Sequence, residues 1–231
     1  MVLSKRLTAV ARFVPAGSVI ADIGTDHVYL PVYLLQQGNS PRSIASDVNQ
    51  GPLDIARLNV QAYGLAESID LRRGEGLAIL KPGEADVIVI AGMGGRTICG
   101  ILERGRAVLE QIGRLILQPM GDVLMVRRWL NRNGWRLVEE EMLIEEKHFY
   151  VILAAEPGQE TIDDDFILQV GPRLLEKKHP VLKIFLAKRL TKIQQILINL
   201  AFSGQTAAIN RTYLLRREAA KIKEVLSKWQ L

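Results

Sequence analysis

The chain has 231 residues, 48% of them hydrophobic and 24% charged, enough apolar material for one large α/β body or a body with an appendage, which excludes disordered, collagenous and fibrous classes. No apolar run approaches the roughly 20 residues of a membrane span, the N-terminal Met1-Val2-Leu3-Ser4-Lys5-Arg6 lacks the apolar core of an export signal, and Cys99 is the single cysteine, so a reduced, cytoplasmic protein without structural disulfides is expected. The net charge of +5 is uneven: residues 1–159 carry 17 Lys+Arg against 18 Asp+Glu, a net of −1, and residues 160–231 carry 13 against 7, a net of +6, an asymmetry that suits a polyanionic partner.

In chain order, Ser18 to Ile23 is an apolar run ending in Asp22-Ile23-Gly24, and Tyr29 to Gln37 has helical spacing. Ser43 to Asp47 and Gln50 to Tyr63 repeat the strand and helix. Ser68 to Arg73 and Asp86 to Ala91 read as strands three and four, followed by a helix from about Arg96 to Gln111. A fifth strand covers Arg114 to Gln118 and a helix Asp122 to Asn133. Such alternation predicts a doubly wound, Rossmann-like, mostly parallel sheet with its ligand site at the carboxyl ends of the strands. Trp135 to Leu143 and His148 to Ala155 are separated by only Ile144 to Lys147, too few residues for a crossover, so the sheet should end in an antiparallel hairpin. From Phe166 apolar residues recur at three- and four-residue steps, interrupted by Pro172 and Pro180. After a break at Ser203-Gly204-Gln205 a second helix runs from about Asn210 to Trp229, with Tyr213, Leu214, Ala220, Ile222 and Leu226 on its apolar side. The tail is therefore expected to be an antiparallel helical hairpin of coiled-coil character, giving domains 1–159 and 160–231.

Asp22-Ile23-Gly24-Thr25-Asp26-His27 closes strand one. Gly24 permits close approach of a ligand to the backbone, but the glycine pattern of a dinucleotide site is missing and Asp26 would repel a pyrophosphate. An acidic turn suits a cationic or zwitterionic ligand, and S-adenosylmethionine fits. Asp47, ending strand two, is placed to accept from a ribose diol. In Gly74-Glu75-Gly76 the carboxylate can accept from an adenine amino group while the glycines admit the purine. Strand four ends in Ala91-Gly92-Met93-Gly94-Gly95-Arg96 and strand five in Gln118-Pro119-Met120, loops that would face the substrate. No His, Cys and carboxylate cluster points to a metal.

Several strings make the resemblance specific: S-K-R-L (Ser4 to Leu7), D-I-G-T-D-H-x-Y-L-P (Asp22 to Pro31), G-E-G-L (Gly74 to Leu77), E-A-D-V-I-V-I-A-G-M-G-G (Glu84 to Gly95), L-I-L-Q-P (Leu115 to Pro119), R-W-L-N-R-N-G-W (Arg128 to Trp135) and E-K-K-H-P (Glu176 to Pro180). Together they resemble the bacterial tRNA (adenine-22-N1)-methyltransferase family from about residue 3 to 231. The resemblance implies a class I methyltransferase fold with a C-terminal helical hairpin, making 1-methyladenosine in the tRNA D-arm region. Two positions depart from the family pattern. Met120 stands where an Asn usually follows Q-P, removing a polar side chain from the expected substrate wall, and Glu75 stands where an Asp is frequent.

The candidate cofactor residues are Asp22, Gly24, Thr25, His27, Asp47, Val48, Gly74, Glu75, Gly76, Ala91, Gly92 and Met93. Gly94, Gly95, Arg96, Gln118, Pro119 and Met120 form the expected substrate wall, and Lys188, Arg189, Lys192, Arg211, Arg216, Arg217 and Lys221 the expected phosphate contacts. Asp26 either stabilises the cationic methylated base or contacts the cofactor's ammonium, and Tyr29 either stacks on a base or packs. His27 is expected to be structural and Cys99 a small buried hydrophobe. A monomer acting on tRNA is expected, with no membrane and no metal; the alternatives are a methyltransferase acting on another RNA, a protein or a small molecule, and an RNA-binding protein with a vestigial pocket.

Overall fold

The structure, a computed structural model, describes residues 1–201 and 208–229. It divides into two units, Met1–Ile162 and Asp163–Leu231, with the boundary at 162/163 where the sequence reading set it at 159/160.

In the first unit, strands form where short β-branched runs are bounded by Gly, Pro, Ser and Asp. In chain order the elements are α1 (Lys5–Arg12), β1 (Ile20–Ile23), α2 (Tyr29–Gln36), β2 (Ser43–Asp47), α3 (Gln50–Ala62), β3 (Ile69–Arg73), β4 (Val87–Met93), α4 (Gly95–Arg104), α5 (Arg106–Leu109), β5 (Arg114–Pro119), α6 (Val123–Arg132), β6 (Trp135–Glu145) and β7 (His148–Pro157). The sheet order is β3-β2-β1-β4-β5-β7-β6. The first five strands are parallel, and β7 runs antiparallel between β5 and β6. Strand order reverses at β1 and β4, so the crevice at their carboxyl ends is the topological place for a ligand. Side chains alternate along β4: Val87 and Val89 cluster with Val10 of α1, Phe13 just after it and Leu34 of α2, while Ile88 and Ile90, fully buried, face the other side of the sheet.

The structure departs from the sequence reading at three places in this unit. Ser4, whose hydroxyl accepts from Leu7 N at 3.2 Å, caps a helix α1 that was not among the expected elements. The single helix expected over 96–111 divides at Gly105, which ends α4 and precedes α5, as glycine weakens a helix; its missing side chain leaves room for Leu77, whose Cδ1 would lie 2.4 Å from a Cβ there. The hairpin turn is shorter than expected, since pairing reaches Glu145↔His148 and only Glu146 and Lys147 turn, with φ of 48° and 69°, the geometry of a two-residue type I′ turn.

The second unit contains α7 (Asp165–Val170), α8 (Pro172–Glu176), α9 (Pro180–Ala201) and α10 (Ala208–Lys228). Asp164 caps α7 by accepting from Phe166 N at 2.7 Å, and Pro172 opens α8, where its missing N–H costs nothing. Arg189 Nε and Nη2 donate to Glu218 Oε1 and Oε2 at 2.7 and 2.9 Å, bracing the middle of α9 against the middle of α10. Among the described residues, Leu182, Leu186, Ile193, Ala219 and Ile222 are the buried positions of the pair. Tyr213 and Leu214, expected on the apolar side, are 57% and 58% exposed; the buried step on α10 falls at 219 and 222 instead, and Ala220 also lies outside it. The expected break at Ser203-Gly204-Gln205 lies outside the described residues. Among the described residues no helix is long and apolar enough to cross a membrane, and no group of three His, Cys, Asp or Glu side chains is arranged to hold a metal ion.

Candidate active site

The carboxyl end of β1 builds the centre of the site. Gly24 adopts φ +78°, and Gly24 N and Thr25 N both donate to Ser46 O at 2.8 Å, so the chain leaves the sheet leaning on β2. Thr25 Oγ1 accepts from Val28 N at 3.2 Å. Val28, a buried β-branched residue, is held at φ 56° as the residue before α2, a conformation that such side chains rarely adopt. This tight, strained turn leaves Asp26 and Tyr29 exposed and His27 half-buried between them.

Two cavities share Gly24. The first, about 350 Å³, is lined by Ile23, Ser46, Asp47, Val48, Gly74, Glu75, Gly76, Met93, Thr97, Ile101 and Arg104. The second, about 280 Å³, is lined by Ser4, Arg6, Leu7, Asp22, Thr25, Asp26, His27, Val28, Tyr29, Leu30 and Ala91. A Cβ on Gly24 would come within 2.0 Å of Met93 Cε, so glycine keeps the junction passable. The pair of cavities suits a ligand with a nucleoside at one end and a charged amino-acid tail at the other. Asp47 Oδ1 accepts from Asn49 N at 2.7 Å, leaving its second oxygen available to a diol. Ser46 Oγ, on the wall of the same cavity, is buried without a protein partner, a polar atom that a bound nucleoside would satisfy.

Charges in the second cavity differ sharply in exposure. The Asp22 carboxyl is buried, and burial pushes its pKa up to about 6 against an opposing hydrogen bond from Thr25. Asp26 is 72% exposed, with Oδ2 3.1 Å from His27 Nε2. The His27 ring lies 5.2 Å from that of Tyr29 at a tilt of 34°, and its Nδ1 is buried without a protein partner. Glu75, on the first cavity, accepts from Arg104 Nη2 at 2.7 Å; this exposed pair is weakly held, so a ligand amino group can compete for the carboxylate.

The expected cofactor residues thus gather around the two cavities, with the exception of Gly92. Its φ is +82°, and the register between β4 and β5 shifts across it, between Ala91 and Met93. As the extra residue of a bulge it is released from the ladder, and its N–H donates to Gln118 Oε1 at 3.1 Å.

The expected substrate wall is reorganised. Gln118 is fully buried and accepts from Arg6 Nη1 at 2.6 Å, so its carboxamide faces inward. Its Nε2 donates to Pro119 O and approaches Met120 Sδ at 3.6 Å, so the thioether serves as a weak acceptor. Pro119 is buried, whereas Met120 is 56% exposed on the rim. Gly95 is a packing residue, since a Cβ would lie 2.7 Å from the Gly121 and Asp122 carbonyl oxygens; Gly94 and Arg96 are exposed at the start of α4. Cys99 is half-buried on α4, and burial pushes its thiol pKa up, which favours the unreactive protonated form.

On the second unit, Lys188, Lys192, Arg211, Arg216 and Arg217 are exposed, and the Arg217 guanidinium lies 5.7 Å from the Tyr213 ring centre. Arg189 and Lys221 differ from the outward cations expected: the first is paired with Glu218 and the second with Asp164 at 2.8 Å. Sequence reasoning overlooked Arg6, Ser46 and Arg104. Only Arg6 had a signal, its place in the S-K-R-L string.

The sequence profile of the family described as tRNA (adenine(22)-N(1))-methyltransferase matches residues 20–224. A Bacillus subtilis (strain 168) protein named tRNA (adenine(22)-N(1))-methyltransferase is 41% identical over 197 residues, covering 83% of this chain and 82% of that one. The crystal structure of the B. subtilis m1A22 tRNA methyltransferase superposes with a TM-score of 0.88 at 36% identity, over 97% of this chain and 99% of that one. A Streptococcus pneumoniae structure determined in complex with S-adenosyl-L-methionine superposes with a TM-score of 0.83 at 38% identity, over 97% and 100% of the two chains.

Proposed function

The chain belongs to the tRNA (adenine(22)-N(1))-methyltransferase family, and from that premise we infer how its own residues carry out methylation of adenine 22 at N1 in tRNA. When bound, S-adenosylmethionine supplies an electrophilic methyl group on a sulfonium. The observation that carries the assignment is the pair of cavities joined at Gly24, one bearing Asp47 and Glu75 and the other Asp22 and Asp26. Asp47 accepts from the ribose hydroxyls, Glu75 from the adenine amino group, and Asp22 faces the ammonium. Val48, Gly74, Gly76 and Met93 enclose the nucleoside, while Thr25, His27 and Ala91 border the tail.

Adenine N1 carries a lone pair and is unprotonated at neutral pH, so the chain has to position the base more than deprotonate it. Methylation makes the base cationic. Asp26, an exposed carboxylate at the mouth of the second cavity and fixed by His27, stabilises that developing charge. Tyr29, 41% exposed beside His27, offers a face on which the base stacks. Met120, Gly94 and Arg96 border the entrance, and Lys188, Lys192, Arg211, Arg216 and Arg217 contact backbone phosphates. The protein works in the cytoplasm, where its tRNA substrate is, as a monomer. The test is incubation with labelled S-adenosylmethionine and a tRNA transcript carrying A22, followed by digestion to nucleosides. Label in 1-methyladenosine, lost when A22 is replaced by guanosine, is the expected result; label in N6-methyladenosine or in another position overturns the reading.

A further inference from the structure

The second cavity contains a cation that was not among the expected site residues. Arg6, in the first turn of α1, lines it together with Asp22, Thr25 and Asp26. Its Nη1 donates to Gln118 Oε1 at 2.6 Å, and Gly92 N donates to the same oxygen at 3.1 Å. Two donors converging on one atom fix it as the carboxamide oxygen. The guanidinium therefore rests on a neutral, fully buried amide rather than on a carboxylate, and it also lies 5.9 Å from the Tyr150 ring centre. A neutral acceptor positions an arginine without cancelling its charge, and a guanidinium has five donors, so most of them remain for a ligand. Lys5 N, donating to Glu145 Oε1 at 2.7 Å, ties the start of α1 to β6 and keeps Arg6 in place.

The ligand end that would meet this arginine must be anionic, and it must also suit the acids that line the same cavity. A free α-amino acid tail carries one positive and one negative group on a single carbon, and a cavity lined by both carboxylates and an uncancelled guanidinium complements both. We propose that Arg6 binds the α-carboxylate of the cofactor's amino-acid tail and that Gln118 is the positioning residue that holds Arg6 for it. The proposal rests on the cofactor assignment above. It gives a role to the S-K-R-L string and explains why Gln118, expected on the substrate wall, faces inward. It also gives the Gly92 bulge a task, since the N–H it releases from the ladder fixes the amide that fixes Arg6.

The experiment is calorimetry with two ligands, S-adenosylhomocysteine, which has the tail, and 5′-methylthioadenosine, which lacks the amino acid. The wild-type protein should bind both, and failure to bind either ligand would overturn the cofactor assignment itself. Arg6→Met should weaken S-adenosylhomocysteine about 10- to 100-fold, the loss of a hydrogen-bonded charge pair, and leave methylthioadenosine unchanged, which also shows that the variant is folded. Arg6→Lys should recover part of the loss. Gln118→Glu offers Arg6 an internal carboxylate and should weaken S-adenosylhomocysteine alone, in the manner of a competitor. Equal weakening of both ligands by Arg6→Met, unchanged affinity for both, or unchanged affinity accompanied by a raised KM for tRNA would each overturn the proposal, the last by making Arg6 a phosphate contact.

Discussion

Two acids four residues apart, Asp22 and Asp26, differ in burial: the first is enclosed and the second faces solvent. Asp26 is exposed, and Asp26→Asn keeps the shape while removing the carboxylate. If the carboxylate stabilises the cationic base, single-turnover rates should fall about 100-fold or more with cofactor affinity little changed; full rate at saturating cofactor would make Asp26 a binding residue only. Asp22 is buried and its pKa is raised to about 6. Below pH 4 it is protonated both folded and unfolded and contributes nothing to the pH dependence. Between about pH 4 and 6 only the unfolded chain ionises, so stability falls as pH rises, and above 6 the cost is constant at something on the order of 2–3 kcal/mol. Asp22→Asn should therefore flatten the melting profile over that window and raise Tm of the free protein above pH 6, while weakening cofactor binding. A mutant profile parallel to wild type would contradict this. The string from Asp22 to His27 was legible because its chemistry is local. Arg6 was not, because no spacing rule links residue 6 to residue 118; only the folded contact does.

At the scale of elements, the strands were legible to within a residue or two because β-branched runs and their bounding turns are local signals. The packing of Leu77 into the space left by Gly105 was not, since residue 77 is distant in sequence. The same holds for the glycines after β4. Three of them looked like one open wall, but they do three jobs: Gly92 bulges, Gly94 precedes α4, and Gly95 packs. Gly95→Ala tests the last of these. Its Cβ would lie 2.7 Å from two backbone carbonyl oxygens in the turn between β5 and α6, and backbone cannot rotate away as a side chain can. The substitution should push α4 from that turn and cost about 1–3 kcal/mol, read as a lowered denaturant midpoint. A midpoint equal to wild type would mean that the two turns separate freely.

Across the whole chain, charge is divided by unit, and this was visible by counting. Counting could not show which cations are committed internally: Arg189 and Lys221 are braced by Glu218 and Asp164, whereas Arg211, Arg216 and Arg217 stand exposed on α10. Replacing those three by Glu should weaken tRNA binding and reduce the slope of log affinity against log salt by about 0.7–0.9 per lost phosphate contact. Wild-type affinity and slope would remove them from the interface. The order of the sheet has a consequence for synthesis on the ribosome. β5, whose Leu115, Ile116 and Leu117 are fully buried, has only β4 beside it until β7 pairs with its other edge. β7 ends at Pro157 and β5 at Pro119, so at about 5–20 residues per second the nascent chain carries an open apolar edge for roughly 2–8 s. Chains arrested after residue 140 should thus remain open to proteolysis within β5 and recruit holdase chaperones, and those released past residue 162 should not.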